Sequence, residues 1–371
     1  MKTVCSENKC AGCKACTDIC PTNSIKVIDS LRYMNAIIDM KTCINCGLCH
    51  KICQSNNPAS LRQPVKWLEG WAKTDIRSTS SSGGFGQELI RSFIRYGGEV
   101  VACKFVDGDF KFDIIEDLDE LAPFVGSKYV KSNPDGIYRV ILDRLKSGGR
   151  ILFIGLPCQV SAVRNYIPAK FQENLYVVDL ICHGSPSVRL LRKSLKEYGY
   201  SVNNVQTIQF RKNIQFGLGV NNQKILPQGI TDRYTLAFLR GLIYTENCYS
   251  CHYARTDRVG DLTIGDSWGT ANKTELSKGM SLILCQTIKG QELIDRMDFH
   301  FEKADIQNAI ANNQQLKQPS VMPEQRAIFF KNIKEGMSFN KAVGKAYPKD
   351  CMKQDIKLKL DRMGIIKRNA N

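Results

Sequence analysis

The sequence predicts a mixed α+β and α/β protein in three parts. These are a small cysteine-rich unit, a larger core built on a mixed sheet with helices on both faces, and a helical C-terminal tail. Three observations predict this class. A cysteine pattern occurs twice within the first 53 residues. Apolar strand-like runs then alternate with amphipathic helix-like segments. The last stretch, residues 301–371, is basic and has the composition of helices.

Length and composition exclude several classes of protein. The chain has 371 residues, of which 43% are hydrophobic, enough for two or three domains and a sizeable core. No apolar run approaches the roughly 20 residues that span a bilayer, and MKTVCSENKC lacks the apolar stretch of a signal peptide. We therefore expect a cytoplasmic protein without a transmembrane segment. Sixteen cysteines in that compartment favour metal or redox sites over disulfides.

The formal net charge of +16 is typical of nucleic-acid binding. However, the basic residues are spread along the chain, and the thiolates of iron–sulfur clusters would offset part of the charge. An acidic redox partner or an anionic cofactor accounts for the surplus equally well. We therefore expect no nucleic-acid partner.

The first unit contains an internal repeat. Residues 10–21 and 43–53 both carry the pattern C-x2-C-x2-C-x3-C, and residues 24–39 between them alternate as a hairpin does. This spacing is that of bacterial two-cluster ferredoxins, in which three neighbouring thiolates bind one cubane and the fourth cysteine reaches the other. We therefore predict a ferredoxin-like domain over residues 1–58, with a zinc site as the alternative. The ligands of one 4Fe-4S cluster would be Cys10, Cys13, Cys16 and Cys53, and those of the other Cys43, Cys46, Cys49 and Cys20.

A linker over residues 55–64 leads into the predicted core, residues 59–300. Strands and helices then alternate, and the strands read as continuous apolar runs. Such runs between helices indicate a parallel or mixed sheet covered on both faces. The predicted helices are 85–98, 136–149, 158–167 and 187–199, and the predicted strands are 99–106, 150–155, 175–181 and 261–268.

Four further cysteines lie near the ends of predicted strands. Cys158 stands in GLPCQ, Cys182 in DLICHGSP, and Cys248 and Cys251 form a C-x2-C before DLTIGDSW. Because the carboxyl ends of parallel strands share one edge of a sheet, these four thiols could form a 4Fe-4S or zinc site. Two alternatives stay open: Cys158 could be a nucleophile assisted by His183, or the cysteines could be inert core residues.

The stretch SSSGG, residues 80–84, is a second candidate site. It precedes a predicted helix, where unpaired backbone N–H groups can face a phosphate. Lys128, in the VGSKY turn at residues 125–129, could contact the same phosphate. The alternatives are an ordinary helix cap and a solvated lysine.

These motifs together resemble a known family. GLPCQVSAVR, DLICHGSP, the C-x2-C followed by GDLTIGDSWG, SSSGGF and VGSKY are similar to the beta subunit of the coenzyme F420-reducing hydrogenase and dehydrogenase family. Some members carry a fused N-terminal two-cluster ferredoxin domain, and the resemblance covers residues 1–290.

The resemblance implies FAD and a third 4Fe-4S cluster held by Cys158, Cys182, Cys248 and Cys251. It also implies that the SSGG and GSKY segments hold the flavin. We further expect Asp266, Ser267 and Trp268 to line the flavin site, although Trp268 could simply pack. The implied flavin contacts are Ser81, Ser82, Gly83, Gly84, Ser127, Lys128, Tyr129 and Asp266.

The function expected from this resemblance is that of an iron–sulfur flavoprotein oxidoreductase. A coenzyme F420-like deazaflavin or another small two-electron carrier would exchange hydride with FAD, and the clusters would pass single electrons to or from a redox partner protein. No side chain is assigned a catalytic role because the chemistry lies at the flavin. Some members accompany surface-polysaccharide genes, which suggests that metabolism as a context. The rival functions are a non-enzymatic electron-transfer subunit of a larger complex and a zinc-stabilised nucleic-acid-binding protein.

Overall fold

An eight-stranded sheet organises the core of this computed structural model, which describes residues 2–365, without the side chain of residue 203. The helices are α1 (Ala15–Ile19), α2 (Leu48–Ile52), α3 (Thr74–Thr79), α4 (Phe85–Arg95), α5 (Ile137–Lys146), α6 (Pro157–Tyr166), α7 (Val188–Glu197), α8 (Arg233–Leu239), α9 (Lys273–Ser277), α10 (Ile288–Asp295), α11 (Ile306–Asn312), α12 (Gln325–Lys334), α13 (Phe339–Ala346) and α14 (Pro348–Arg362). The strands are β1 (Ile25–Asp29), β2 (Met34–Ile38), β3 (Lys66–Ala72), β4 (Glu99–Val106), β5 (Asp109–Ile115), β6 (Ile151–Gly155), β7 (Leu175–Leu180), β8 (Ile208–Lys212), β9 (Gln215–Val220), β10 (Gln223–Lys224), β11 (Leu262–Asp266), β12 (Ser281–Cys285) and β13 (Phe299–Lys303).

The large sheet is mixed, which confirms the predicted fold class. Its order is β13-β3-β12-β11-β7-β6-β4-β5, in which β4, β6, β7 and β11 run parallel and the other pairings are antiparallel. Helices cover both faces. Phe153 of β6 packs among side chains of α5 and α6, whereas its neighbour Leu152 packs among side chains of α4 and α10. The central strands are apolar throughout because neither face meets water.

The N-terminal unit is a small hairpin with two short helices. Strands β1 and β2 pair antiparallel, from Ile25 opposite Ile38 to Asp29 opposite Met34, as predicted. The unit docks on the core through Asp18 of α1, whose carboxylate accepts hydrogen bonds from the amides of Gly136 at 2.9 Å and Tyr138 at 3.2 Å. Asp18 therefore caps the start of α5 across the junction.

A second, three-stranded antiparallel sheet, β10-β9-β8, was not predicted. It spans residues 208–224, and its buried residues Phe210, Leu218 and Val220 join a core shared with α7, α8 and the C-terminal helices. The sheet matters for the site because it carries Arg211 and Phe216 toward the end of β11.

The C-terminal tail is helical, as predicted. Phe329 of α12 and Phe339 of α13 are fully buried in the same core as α7 and α8, so the tail covers the core. The predicted boundary at residue 300 falls within β13, which pairs with β3 as the edge strand of the large sheet. Residues 366–371 of the predicted C-terminal extension lie outside the described residues.

Candidate redox site

The predicted site residues of the core lie along one edge of the large sheet. Cys158 follows β6 in the first turn of α6, Cys182 follows β7, and Asp266 is the last residue of β11. These three parallel strands are adjacent, so their carboxyl ends meet at this edge. Strand β3 runs in the same direction, because it and β11 both pair antiparallel with β12. The SSSGG stretch therefore reaches the same edge, where the Gly83 carbonyl accepts from the Ala72 amide at 2.7 Å.

In the N-terminal unit, the cysteines of the first predicted set converge. Cys10, Cys13, Cys16 and Cys53 are all buried. Burial raises the pKa of the Cys13 thiol most, and the charges of Cys16, Cys10 and Cys53 raise it further. Thiols that repel one another as thiolates need a shared cationic centre, which a cubane supplies. The amide of Gly12 also donates to Cys10 Sγ at 3.4 Å.

The second predicted set lies nearer the surface. Cys20, Cys43, Cys46 and Cys49 line one small cavity together with Thr22 and Ser24. The amides of Ser24 and Asn45 donate to the sulfurs of Cys20 and Cys43 at 3.3 and 3.4 Å. Although burial opposes it, the hydrogen bonds from Ser24 and Thr22 lower the pKa of Cys20. Cys46 is exposed, so this set faces solvent.

The four core cysteines also come together. Burial, the largest cause, raises the pKa of Cys182 well above its ordinary value, and the charges of Cys248, Cys158 and Cys251 add to the effect. The Gly184 amide donates to Cys182, and the Tyr253 and Ala254 amides donate to Cys251. Thr245 Oγ1 lies 3.6 Å from Cys248 Sγ. Amide donors of this kind stabilise thiolates that bind metal.

These observations fit a cluster better than a nucleophilic Cys158. Burial raises the pKa of Cys158 to about 12, with Lys131 opposing it and Cys251 and Cys248 adding to it. Burial has the largest effect on His183 and lowers its pKa. The charges that act on His183 are those of Asp266 and Arg211, and not that of Cys158. Within residues 2–365, no three His, Cys, Asp or Glu side chains are grouped so as to hold a single metal ion. The fit to a cluster therefore rests on the convergence of the four thiols and on their amide donors.

A buried ion pair holds the C-x2-C segment against β7. Asp179 and Arg258 are 0% and 1% exposed, and Asp179 Oδ1 accepts from Arg258 Nη2 at 2.7 Å and Nε at 3.1 Å. The guanidinium also donates to the carbonyls of Leu180 at 2.8 Å and Tyr253 at 2.6 Å. Leu180 lies two residues before Cys182, and Tyr253 lies two residues after Cys251. One side chain thus fixes the segments of Cys182 and Cys251 relative to each other.

The two segments predicted to bind the flavin contact each other. The Ser127 amide donates to Ser81 Oγ at 2.7 Å, which joins the SSSGG and GSKY turns. Ser82 Oγ donates to the Met280 carbonyl at 3.0 Å. A Cβ on Gly83 would lie 2.4 Å from the Gly70 carbonyl oxygen. The absence of a side chain at Gly83 therefore allows close packing against β3, and this holds whether or not the residue also contacts a phosphate.

The Lys128 ammonium is bonded inside its own turn. Its Nζ donates to the carbonyls of Phe124, Val125 at 3.1 Å and Gly126 at 3.0 Å. Burial lowers its pKa to about 8. The side chain is therefore neither freely solvated nor directed by these bonds toward a phosphate. Gly84 lies just before α4 with φ of 89°, a conformation that glycine adopts without strain.

Aromatic side chains and a half-buried ion pair adjoin this turn. No sequence pattern predicted a role for Arg211. It binds Asp266 through two hydrogen bonds of 2.6 and 2.9 Å and donates to the Tyr129 hydroxyl at 3.3 Å. Its guanidinium lies 4.8 Å from the Phe216 ring and 5.6 Å from the Trp268 ring. By contrast, Ser267 is buried and donates to Glu69, so it does not line the site.

The C-terminal tail supports the same region through Arg326, which is 1% exposed. It donates to the carbonyls of Leu242 at 2.9 Å and Arg32 at 3.0 Å, and to the Tyr249 hydroxyl at 3.2 Å. Arg32 belongs to the N-terminal hairpin, and Tyr249 lies between Cys248 and Cys251. No sequence pattern marks this arginine, yet it ties three parts of the chain together.

None of the helices in residues 2–365 combines the length and the apolar character that crossing a bilayer requires.

Parts of the chain are similar to known proteins. Residues 148–307 match the family described as the C terminus of the beta subunit of coenzyme F420 hydrogenase/dehydrogenase, and residues 9–57 match the 4Fe-4S dicluster domain. A coenzyme F420-dependent sulfite reductase from Methanocaldococcus jannaschii is 23% identical over 236 residues, 55% of this chain and 35% of that protein. The match thus spans about a third of the relative's length. A chain in the F420-reducing NiFe hydrogenase complex from Methanosarcina barkeri is similar with a TM-score of 0.49 and 16% identity, over 71% of this chain and 97% of the other.

Proposed function

Because the chain carries a 4Fe-4S dicluster domain at residues 9–57 and the coenzyme F420 hydrogenase/dehydrogenase beta-subunit domain at residues 148–307, we propose that it is an iron–sulfur flavoprotein oxidoreductase. Its substrate would be coenzyme F420 or another two-electron carrier, and its partner an iron–sulfur protein. The F420-linked name of the relative from Methanocaldococcus jannaschii supports this substrate class. Surface-polysaccharide metabolism and a cytoplasmic location stay predictions from the sequence.

One observation carries the proposal. The thiols of Cys158, Cys182, Cys248 and Cys251 converge at the edge of the sheet where the turn at Ser81 and the ion pair of Asp266 also lie. We assign a third 4Fe-4S cluster to these four cysteines. FAD, when bound, would exchange hydride with the carrier and single electrons with this cluster.

The residues of the proposed flavin site have distinct tasks. The Arg211 guanidinium supplies positive charge near a bound anion, while its two bonds to Asp266 keep it in place. The rings of Tyr129, Phe216 and Trp268 offer apolar surface for a planar ring system and exclude water from it. The turn at Ser81, joined to Ser127, leads into α4, whose first backbone N–H groups would face a phosphate of the flavin cofactor.

The clusters would form a route toward the surface. Cys13 of the first N-terminal set packs in the same apolar core as Cys158 and Cys251. The second N-terminal set includes Cys46, which is exposed. We infer that electrons pass between the core cluster and a partner through the buried N-terminal cluster and then the outer one.

Metal and flavin analysis of anaerobically purified protein tests this proposal. Three cubanes predict about 12 irons per chain, and FAD should be released on denaturation. Cys158→Ser should lower the iron content by about four while leaving the two N-terminal clusters intact. Cys285→Ser is the matched control, because Cys285 is buried in β12 outside the ligand sets and its loss should leave iron unchanged.

The outcomes separate the alternatives. Zinc without iron would refute an iron–sulfur enzyme. An unchanged iron content with abolished activity in Cys158→Ser would indicate a nucleophile instead of a ligand. Flavin that no deazaflavin or nicotinamide reduces would favour an electron-transfer subunit without a substrate of its own.

A further inference from the structure

Lys131 is a buried cation at the junction of the N-terminal unit and the core. It is 6% exposed, and its Nζ donates to the Ala11 carbonyl at 2.9 Å. Ala11 lies between Cys10 and Cys13 in the first cluster-binding loop. The stem of the side chain runs along the same loop, because a Cβ on Gly12 would lie 3.1 Å from Lys131 Cδ.

The backbone around Lys131 also contacts the segments that carry core ligands. The Lys131 amide donates to the Pro186 carbonyl at 2.8 Å, in the loop that follows Cys182. The next residue, Ser132, accepts a hydrogen bond on Oγ from Gln159 Nε2 at 2.9 Å. Gln159 directly follows Cys158 in α6. Residues 131 and 132 therefore bridge the two predicted cluster sites.

The charge of Lys131 acts on both sites. The Lys131 ammonium lies within electrostatic range of the sulfurs of both Cys10 and Cys158. In a dry interior, such a charge interacts more strongly than it would in water. It therefore favours negative charge at Cys10 and at Cys158 alike.

We propose that Lys131 is a positioning residue for electron transfer between the core cluster and the cluster of Cys10, Cys13, Cys16 and Cys53. This rests on the proposed core cluster. One electron leaves one cluster and arrives on the other, with no bond or proton changed. Each reduced cluster carries one more negative charge, which the nearby ammonium stabilises. Because Lys131 contacts both loops, it raises the reduction potentials of both clusters. The difference between the two potentials therefore stays small.

The test is a set of three substitutions in the full-length holoprotein. Lys131→Met and Lys131→Gln remove the charge and keep a side chain of similar length, whereas Lys131→Arg keeps the charge. Lys9→Met is the matched control, because exposed Lys9 also joins the two parts, through a 2.7 Å bond to Ser250 Oγ. The measurements are iron content and the midpoint potential of each cluster from redox titrations followed by electron paramagnetic resonance.

We expect Lys131→Met to retain its iron and to shift two of the three midpoint potentials downward, with the outer cluster unchanged. Lys131→Arg should restore both potentials, and Lys9→Met should resemble the wild type. Full iron with unshifted potentials in Lys131→Met would overturn the proposal. So would loss of iron in Lys131→Met and Lys131→Gln together, because the residue would then be needed for assembly. Only about eight irons in the wild type would instead refute the core cluster, the part of the proposed function on which this proposal rests, and would leave the two N-terminal clusters in place.

Discussion

Arg258→Met is the substitution for which the structure gives the largest expected effect. The arginine is the charged partner of Asp179, and neither side chain is more than 1% exposed. Without it, the carboxylate would keep only the 2.8 Å hydrogen bond from the Gly260 amide. The carbonyls of Leu180 and Tyr253 would also lose their donor.

Breaking a buried pair by removing one partner costs about 3–5 kcal/mol, since the remaining charge is left without compensation. Unfolding entropy is roughly 2.1 cal/mol/K per residue, or about 0.8 kcal/mol/K for a chain of this length. If the chain unfolds as one unit, the melting temperature of Arg258→Met should therefore fall by about 4–6 °C. Because the same guanidinium positions the segments of Cys182 and Cys251, iron content should fall by about four as well.

Differential scanning fluorimetry and iron analysis under anaerobic conditions measure both effects. Arg255→Met is the matched control, because Arg255 pairs with Asp257 in the same loop but is half exposed. Exposed pairs contribute about 0–1 kcal/mol, so this variant should melt close to the wild type. Asp179→Asn combined with Arg258→Met should recover part of the loss, since the buried charge is then absent. A melting temperature within about 1 °C of the wild type, with full iron, would refute a positioning role for Arg258.

Three further substitutions test separate parts of the structure. Burial lowers the pKa of Lys128 from 10.5 to about 8, so the folded state releases this proton at a lower pH than the unfolded state does. The wild type should therefore gain stability relative to Lys128→Met as pH rises from about 8 to 10.5. Melting temperatures of both proteins across that range measure this effect. Arg326→Met should cost about 2–3 kcal/mol, since several buried hydrogen bonds to a charged group are lost, and limited proteolysis should then release the N-terminal unit sooner. Gly83→Ala should destabilise by more than about 1 kcal/mol and lower the flavin content, because its Cβ would overlap the Gly70 carbonyl.

Two of these predictions have a matched control variant, and two have a result that would contradict them. If the wild type instead loses stability relative to Lys128→Met over the same pH range, folding raises the pKa of Lys128, and the prediction is wrong. Arg240→Met removes a half-exposed arginine paired with Asp350 in the tail and should leave the proteolytic pattern unchanged. Gly344→Ala adds a methyl group in open space within α13 and should be neutral or stabilising. Equal behaviour of Gly83→Ala and Gly344→Ala would disprove the packing argument.

The predictable parts of the site are those that local pattern encodes. The spacing of Cys10, Cys13 and Cys16 is a property of a single loop, so the sequence alone predicts that their thiols converge. The strands that precede Cys158 and Cys182 were predictable, because β6 and β7 are buried on both faces and are therefore apolar throughout. Their meeting at one edge follows from parallel pairing.

The rest depends on contacts between distant residues, which leave no local pattern. Lys131 reaches Ala11, 120 residues earlier, and Arg326 reaches Arg32, 294 residues earlier. Arg211 sits on a short hairpin whose alternation covers only residues 208–220, and its partner Asp266 is 55 residues away. The packing role of Gly83 was not predicted, because its neighbour Gly70 belongs to β3, a strand that the sequence did not single out.

Cys46 is exposed, whereas Cys10 and Cys53 are buried, so the two N-terminal clusters should differ in their sensitivity to dioxygen. Oxidation follows access, so dioxygen should destroy the outer cluster first. Such a molecule could no longer exchange electrons between its interior and a partner at the surface. Brief aeration should therefore erase the spectroscopic signal of one N-terminal cluster before the other. Simultaneous loss of both signals would contradict this order.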